Sequence, residues 1–399
     1  MADKDIVILS GCRTPIGSFG QSLKSVRAFE LGALVMQEAL KRAGVEGAQL
    51  DDVIFGDCIQ TSDEANTART AMLKAGIPVE VPATTIQRQC ASGMQASIFA
   101  SQQIIAGDSD IVLAGGVESM SNAPYVLKQA RWGARLQHGE MTDVMWELLH
   151  SGSHLLGQGY IMGQTAENLA EKYNISREDQ DQVAFESHKK AIAAIDSGRF
   201  KDEIVPVPIP QRKGEPKMFT TDEHARRDIT LESLAALKPV FKKTGTVTAG
   251  NSSGLNDGAA AMVITSAATA AKMGKKPLAR IIANAIAGCE PHLMGYGPVP
   301  AVTKLLKKTG MKLDDIDLIE CNEAFAAQYL SCERGLGLDR KKVNVNGSGI
   351  ALGHPVGCTG ARIMISLIYE MKKRNLKRGI ATLCVGGGMG GAVMIENIQ

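Results

Sequence analysis

The feature that most constrains this fold is a nine-residue phrase that occurs once in each half of the chain. Residues 50–58 read Leu-Asp-Asp-Val-Ile-Phe-Gly-Asp-Cys, and residues 313–321 read Leu-Asp-Asp-Ile-Asp-Leu-Ile-Glu-Cys. A helical pattern that ends in glycine precedes each copy, at Gly44 and at Gly310. Because acidic turns before short strands are common, chance similarity is the alternative explanation, and the order of further motifs must decide.

A second pair of segments follows in the same order. Residues 110–116 and 381–388 each read as an apolar strand that runs into glycines. Each follows a helical pattern that we expect to open on Ser/Thr-Gly, at residues 92–93 and 359–360. These ordered correspondences favour duplication of a unit that alternates strands with helices. Such units predict right-handed βαβ crossovers and buried, largely parallel sheets, with a site at the junction of the two halves.

The segment between the halves differs from both. Residues 123–254 are richer in charged and amide side chains, and they are too long for a loop. A helix is predicted near Ser176, with that serine as its cap and Asp179 in the capping-box position. We therefore predict an inserted domain at 123–254. The first half then comprises 1–122 with 255–276, and the second half comprises 277–399.

Composition excludes several classes of protein. The net charge is only +2 and aromatic residues make up 4%, which disfavours a nucleic-acid or anionic-membrane surface. The eight cysteines contain no Cys-x-x-Cys pair, so we expect no metal site. Neither a secretory signal, nor a membrane span, nor a peroxisomal ending is evident, and we expect a cytoplasmic protein with free thiols.

Cys90 is the candidate nucleophile. It lies just before a helical pattern that runs from Ser92 to a stop at Gly107. Free N–H groups and the positive end of the helix dipole favour a thiolate at such a position, and the thiolate is the reactive form. The alternative is a small, inert cysteine packed at a buried helix start.

Three further residues offer chemistry that suits a cysteine nucleophile. His354 lies between a glycine and a proline, outside any helix interior, where it could take the thiol proton. Cys384 ends a strand at the glycines 386–388, a position suited to proton transfer beside an oxyanion site. Asn322 follows the second copy of the acidic phrase and could hold a water or a carbonyl oxygen. The respective alternatives are a loop histidine, an inert cysteine and a turn-forming asparagine.

Two glycine-rich segments bear on ligands. Residues 250–258 are small and polar and suit a thin ligand that passes close to the backbone, although ordinary turn chemistry explains them equally. Residues 386–391 contain a Gly-x-Gly-x-x-Gly match, but an apolar strand pattern follows it where a dinucleotide site requires a helix. We therefore do not interpret it as a nucleotide-binding loop.

Together these motifs resemble the thiolase family along nearly the whole chain. The motifs that carry the resemblance are Gln-Cys-Ala-Ser-Gly at 89–93, Asn-Glu-Ala-Phe at 322–325, Gly-His-Pro at 353–355 and Cys-Val-Gly-Gly-Gly at 384–388. The resemblance implies an α/β thiolase fold with two duplicated βαβ-type halves. Their central mixed sheets would pack in α/β/α/β/α layers, with an inserted loop domain that binds coenzyme A. It also implies homo-oligomers, usually tetramers, and no metal or other cofactor.

The resemblance also implies roles for individual residues. Cys90 would carry the acyl group, His354 would activate it, Cys384 would be the acid/base for the α-carbon, and Asn322 would position a water. The N–H groups of Cys90 and Gly386 would form an oxyanion site. The residues expected to bind the substrate are Arg226 at the nucleotide end, Phe241, Ala249 and Ser253 along the pantetheine, and Met162 and Phe325 at the acyl pocket.

The leading hypothesis is an acetyl-CoA acetyltransferase that interconverts two acetyl-CoA with acetoacetyl-CoA and coenzyme A. A 3-ketoacyl-CoA thiolase of broader chain length is the nearest rival, because Ile161 stands where short-chain members usually have a histidine. A decarboxylating ketosynthase and a noncatalytic acyl-CoA-binding relative are more distant alternatives. Oxidation could also join Cys90 and Cys384 if both thiols lie in one pocket.

Overall fold

The structure is a computed structural model that describes residues 5–399; the expected absence of a secretory signal rests partly on residues 1–4, outside that range. The strands are β1 (Ile6–Arg13), β2 (Gly17–Ser18), β3 (Asp52–Gly56), β4 (Ala83–Ile86), β5 (Ile111–Ser119), β6 (Tyr125–Val126), β7 (Thr142–Asp143), β8 (Val207–Ile209), β9 (Lys217–Phe219), β10 (Asn256–Ser266), β11 (Ala279–Gly288), β12 (Leu318–Cys321), β13 (Arg378–Val385) and β14 (Met389–Asn397).

The α-helices are α1 (Ala28–Ala43), α2 (Thr67–Lys74), α3 (Ser92–Ala106), α4 (Val144–His150), α5 (Met162–Lys172), α6 (Arg177–Asp196), α7 (Leu231–Ala235), α8 (Ala267–Lys272), α9 (Pro298–Thr309), α10 (Ala326–Leu336), α11 (Gly349–Leu352) and α12 (Val356–Arg374). Several end where the sequence predicts, because Gly44, Gly107 and Gly310 adopt the left-handed conformation that terminates α1, α3 and α9. In residues 5–399 no helix is both long and apolar enough to cross a membrane.

Two half-sheets join into one sheet of ten strands. Its order is β12-β13-β14-β11-β1-β10-β5-β3-β4, with β2 attached to β10. The seam is short, since β1 meets β11 through the pairs Ile6–Ile281, Val7–Arg280 and Ile8–Ala279. The sheet is mixed, as the resemblance implies.

The prediction of largely parallel sheets is wrong, because most pairs in the sheet are antiparallel. Among the strands of the described residues, only β12 with β13, and β3 with its neighbours β4 and β5, are parallel. The physical reason lies in the connections. The glycine turn at 386–388 joins β13 to β14 as a tight hairpin, and a hairpin makes neighbouring strands antiparallel. The strand β10 enters beside β1 after the long intervening segment and also runs antiparallel to it.

Side chains that alternate along the strands divide the core into layers. Val7 and Leu9 of β1 pack with α1, whereas Ile6 and Ile8 point the other way and pack with α3 and α12. A third core covers the opposite face of β13 and β14 with α9 and α10. The molecule therefore has five layers. The pair α3 and α12 forms the middle layer, a half-sheet lies on each side of it, and the other helices cover the outer faces of the half-sheets.

The segment 123–254 adds no strand to the ten-stranded sheet among the described residues, although its side chains pack into the first and third cores. Its strands pair only with one another, β6 with β7 and β8 with β9. Ser176 caps α6 as predicted, because its hydroxyl accepts the N–H of Asp179 at 3.0 Å. The Asp179 side chain pairs with Arg334 instead of closing a capping box. The limits of this segment as a domain stay a prediction.

The central helices α3 and α12 approach closely because glycines line their contact. An added Cβ at Gly93 would lie 2.9 Å from the Gly357 carbonyl oxygen, and one at Gly360 would lie 2.5 Å from the Met94 nitrogen. Real side chains do not reach such distances. The expectation that this helix opens on residues 359–360 is wrong: α12 begins at Val356, since Pro355 occupies its cap position and its carbonyl accepts the N–H of Thr359.

Replacing Gly360 with alanine should force α3 and α12 apart. We expect a loss of about 1 to 3 kcal/mol in the free energy of unfolding, since overpacking a dense core has that cost. Chemical denaturation followed by circular dichroism measures it. The control is Gly288→Ala, where the nearest atom to an added Cβ is 3.9 Å away. Equal stability of both variants would contradict the close approach.

Candidate active site

The candidate site is a cavity of about 510 Å³ where elements of both halves meet the intervening segment. The start of α3, the loop before α12 and the turn between β13 and β14 supply Cys90, His354 and Gly386 to its wall. The remaining lining is mostly apolar, from Met120, Leu148, Leu149, Ile161, Met162, Val240, Phe241, Leu255, Met294, Ala324, Phe325 and Val356, together with the polar residues Ser252, Ser253, His224 and Arg226.

Cys90 lies in a strained turn at the N-terminal end of α3. Gln89 has φ = +45°, an uncommon value for a residue with a side chain. The Ser92 hydroxyl donates to the Gln89 carbonyl at 2.6 Å and accepts the Arg88 N–H at 2.8 Å, which holds the turn. Strain of this kind persists where surrounding bonds determine the conformation, and it is frequent at functional sites.

The helix start does not by itself make Cys90 a thiolate. Burial raises the pKa of Cys90 to about 11, and a hydrogen bond from the Gly386 N–H opposes that rise. Desolvation of the anion therefore outweighs the helix dipole that the sequence argument emphasised. A neighbouring base must take the proton before this thiol can attack a substrate.

His354 has the properties of that base. Its backbone N–H donates to the Asn256 side-chain oxygen at 2.8 Å. Its ring nitrogen Nδ1 lies 2.7 Å from the Thr359 hydroxyl. The Thr359 hydroxyl in turn donates to the Pro355 carbonyl at 2.9 Å, so its lone pair is available to accept the Nδ1 proton. This assigns the proton to Nδ1 and leaves Nε2 unprotonated.

The imidazole of His354 is neutral. Burial, helped by the positive charge of Arg362, lowers the pKa of His354 to about 3. A neutral ring has a nitrogen lone pair that can accept a proton directly from a neighbouring thiol, whereas an imidazolium has none. The low value also means that the proton taken from a thiol is held weakly and is readily returned.

Cys384 and Asn322 are not part of the cavity wall, and both are fully buried; Asn322 precedes the lining residue Ala324 by two positions. Cys384 packs against Met294 and Ala324, which line the cavity. Burial, and next the proximity of the Cys90 thiol, raise the pKa of Cys384 well above its usual value. Within residues 5–399 all eight cysteines are free, so a disulfide between these two thiols stays a hypothesis.

Asn322 has an unusual hydrogen-bonding state. Among the described residues, neither its side-chain oxygen nor its side-chain nitrogen has a partner, although both are buried. Its main chain is fixed by a bond to the Thr382 carbonyl at 3.0 Å. Buried amides normally satisfy both groups, so this side chain is suited to a water or a substrate oxygen.

All six residues predicted to bind substrate lie on the wall of the cavity: Met162, Arg226, Phe241, Ala249, Ser253 and Phe325. The loop that carries Ser253 is tied to the second half, because the Ser253 N–H donates to the Ala324 carbonyl at 2.9 Å. Phe241 meets Phe325 edge-to-face with centroids 6.3 Å apart. The binding roles themselves stay predictions.

Sequence reasoning missed two polar residues of the wall. Ser151 follows α4 with φ = +45° and lies against Gly386, where an added Cβ would collide with its hydroxyl. His224 lies beside Arg226, and burial lowers the pKa of His224 to about 4. The sequence signal for Ser151 was the glycine-rich stretch 151–160. The sequence signal for His224 was the pair of arginines that follows it at 226–227.

The comparisons with known proteins agree with this geometry. The chain matches the thiolase N-terminal domain over residues 6–268 and the thiolase C-terminal domain over 275–397. It is therefore an acyltransferase enzyme of the thiolase family. An acetyl-CoA acetyltransferase of Syntrophomonas wolfei is 51% identical, with 98% of this chain and 99% of that protein covered.

Two solved structures are also similar. The acetyl-CoA acetyltransferase of Bacillus anthracis superposes with a TM-score of 0.96 at 57% identity, covering 99% of both chains. Human mitochondrial 3-ketoacyl-CoA thiolase in complex with CoA superposes with a TM-score of 0.94 at 44% identity. That match covers 100% of this chain and 99% of the human one.

Substituting Thr359 with valine should lower kcat about tenfold to a hundredfold, since residues that orient a catalytic group have effects of that size. The reason is that Nδ1 loses its partner, so the ring no longer keeps its unprotonated nitrogen toward the cavity. Steady-state kinetics with acetoacetyl-CoA and coenzyme A measure kcat.

The control for this substitution is Thr265→Val. Thr265 is also buried, and its hydroxyl donates to the Asp110 carbonyl at 2.7 Å, remote from the cavity. A Thr359→Val enzyme with the kcat of this control would show that the hydroxyl does not orient His354.

Proposed function

We propose that this enzyme is an acetyl-CoA C-acetyltransferase. It would catalyse the reversible Claisen condensation of two acetyl-CoA to acetoacetyl-CoA and coenzyme A. The observation that carries the proposal is the convergence of a half-buried thiol, a neutral imidazole and a glycine N–H at one cavity, with Cys90, His354 and Gly386 on its wall. The acetyl-CoA acetyltransferases similar to this chain over almost their full length support the choice of substrate.

In the first half-reaction, Nε2 of His354 would take the Cys90 proton as the sulfur attacks the thioester carbonyl of acetyl-CoA. The N–H groups of Cys90 and Gly386 would donate to the developing oxyanion. The carbon–sulfur bond to coenzyme A then breaks, and the departing thiolate would take the Cys384 proton. Acetyl-Cys90, free coenzyme A, a Cys384 thiolate and a protonated His354 result.

In the second half-reaction, the Cys384 thiolate would remove an α-proton from a second acetyl-CoA. The raised pKa of Cys384 suits this step, because a weakly acidic C–H needs a strong base. His354 and a water on Asn322 would stabilise the enolate oxygen. The carbanion attacks acetyl-Cys90, the Cys90 sulfur leaves, and His354 returns its proton. The steps use thiol, imidazole and N–H groups and one water, so the proposal requires no cofactor.

The test of this proposal is acyl transfer to Cys90. Wild-type protein mixed with acetyl-CoA should show an acetyl group on Cys90 by peptide mass spectrometry, and Cys90→Ala should show none and have no activity. In Cys384→Ala we expect acetyl-Cys90 to form while condensation is lost, since the base is absent. The control is Cys289→Ala, a half-buried free thiol outside the cavity lining. An active Cys90→Ala protein would refute the proposal.

A second candidate is a 3-ketoacyl-CoA thiolase of broader chain length. Ile161 lines the cavity beside Leu148, Leu149 and Met294, an apolar wall against which a longer acyl chain would pack. The similarity to human mitochondrial 3-ketoacyl-CoA thiolase also favours it. The acetyl-specific function remains the first proposal, because the acetyl-CoA acetyltransferases at 51% and 57% identity are more similar to this chain than the human thiolase at 44%.

Thiolysis of 3-ketoacyl-CoA substrates of increasing length separates the two candidates. A pocket that accepts longer chains should raise kcat/KM about fourfold for each added methylene, since burying one contributes about 0.8 kcal/mol. The acetyl-specific enzyme should instead have its highest kcat/KM on acetoacetyl-CoA, with a decrease at every longer chain. An increase from four to six carbons would assign the second candidate.

The homo-oligomer that the resemblance implies is also a proposal. Large apolar side chains of the intervening segment are strongly exposed, with Trp132 at 87% and Leu155 at 80%. Exposed apolar side chains grouped along one segment are typical of a surface that a partner covers.

A further inference from the structure

Glu118 is a buried acidic residue to which the mechanism assigns no role. It lies near the end of β5 and is 0% exposed. Its carboxyl group accepts three backbone N–H groups, from Gly357 at 2.7 Å, Ile59 at 3.0 Å and Cys58 at 3.2 Å. Taking a carboxyl group out of water is costly unless it is hydrogen-bonded, and these three bonds satisfy it.

One of these bonds fixes the loop that carries His354. Gly357 is the second residue of α12 and follows His354 by three positions. Its N–H is one of the donors at a helix start that have no partner within the helix. By accepting it, Glu118 joins β5 of the first half to the start of α12 in the second half.

The other bonds reach the turn that carries Cys90. The backbone of Cys58 is held by Glu118, and the Cys58 thiol donates to the Gln89 carbonyl at 3.3 Å and contacts the Ser92 hydroxyl at 3.5 Å. Gln89 and Ser92 flank Cys90 and form its strained turn. Glu118 thus reaches the turn of the nucleophile through Cys58, and it directly binds the start of the helix that follows the base.

Asp57 lies beside this carboxyl group and explains how it is tolerated. The Thr67 hydroxyl donates to Asp57 at 2.6 Å, and the two carboxyl groups are close enough to share one proton. Burial and then the Asp57 charge raise the pKa of Glu118 well above its usual value. Burial likewise raises the pKa of Asp57.

We propose that Glu118 is a positioning residue that holds the Cys90 turn and the His354 loop at the separation required for acyl transfer. The inference rests on the proposed roles of these two residues. Glu118 does not touch the substrate and does not line the cavity; it acts through the backbone of Gly357 and of Cys58. Since Cys90 and His354 belong to different halves of the duplication, their mutual position depends on a connection of this kind.

The test compares Glu118→Gln and Glu118→Ala with Asp51→Asn. Oε2 of Glu118 accepts from Gly357 and Cys58, and Oε1 accepts from Ile59. Glutamine retains the shape but has one acceptor oxygen in place of two, so it cannot accept all three N–H groups. Asp51 is the control, because its carboxyl group also accepts backbone N–H groups, those of Asp110 at 2.7 Å and Ile111 at 2.9 Å. These bonds lie at the start of β3 and β5, whereas the bonds of Glu118 lie at the ends of these strands. If Glu118→Ala does not fold, Glu118→Gln alone decides the test.

For Glu118→Gln we expect kcat to fall at least about tenfold while KM changes less than about threefold, because a small displacement of reacting groups slows chemistry more than binding. The single-turnover rate of Cys90 acetylation should fall by the same factor as kcat. Asp51→Asn should lower the melting temperature without changing either rate. If kcat falls only in proportion to the folded fraction in both Glu118→Gln and Asp51→Asn, the proposal is overturned. An unchanged rate of Cys90 acetylation in Glu118→Gln would also overturn it.

The two proposals fail in different ways. If the wild-type protein forms no acetyl-Cys90, the proposed function is wrong. If the wild-type protein forms it and Glu118→Gln forms it equally fast, the function stands and the positioning role of Glu118 is refuted.

Discussion

The close contact between α3 and α12 is the constraint on which the rest of the structure depends. The two helices lie between the half-sheets, and Gly93 and Gly360 let their backbones approach where a side chain would separate them. Cys90 precedes one helix and His354 precedes the other. Because both helices begin at the same end of the central layer, the nucleophile and the base meet at one cavity. The catalytic arrangement is therefore a result of packing in the middle of the molecule.

Burial determines the chemistry of the site more than charge does. The three proposed acid/base groups are neutral at rest, since desolvation raises the pKa of both thiols and lowers that of His354. Charge would appear only when substrate arrives and a proton moves between neighbours. A mostly apolar cavity with fixed N–H donors stabilises such a transient charge better than water does, because the donors need no reorganisation.

Much of the site could be predicted from sequence because local backbone requirements mark it. Glycine and proline on either side of His354 exclude a helix interior, and small residues after Cys90 indicate a close helix contact. The environment of Asn322 and the position of Cys384 behind the wall depend on folding, and no local pattern shows them. Glu118 was hidden for a related reason, since an acidic residue at a strand end normally faces solvent. The parallel sheet was mispredicted because the glycines at 386–388 were interpreted through their chemistry and not as a hairpin.

The shared middle layer also determines how this molecule loses its structure. Within residues 5–399 the half-sheets meet along three residue pairs, yet both contribute side chains to the core around α3 and α12. Neither half can bury that surface alone, so separating them exposes the apolar faces of both at once. Unfolding should accordingly be cooperative across the two halves despite the length of the chain. A molecule with one half intact and the other molten would have no enclosed layer, and therefore no residual catalysis.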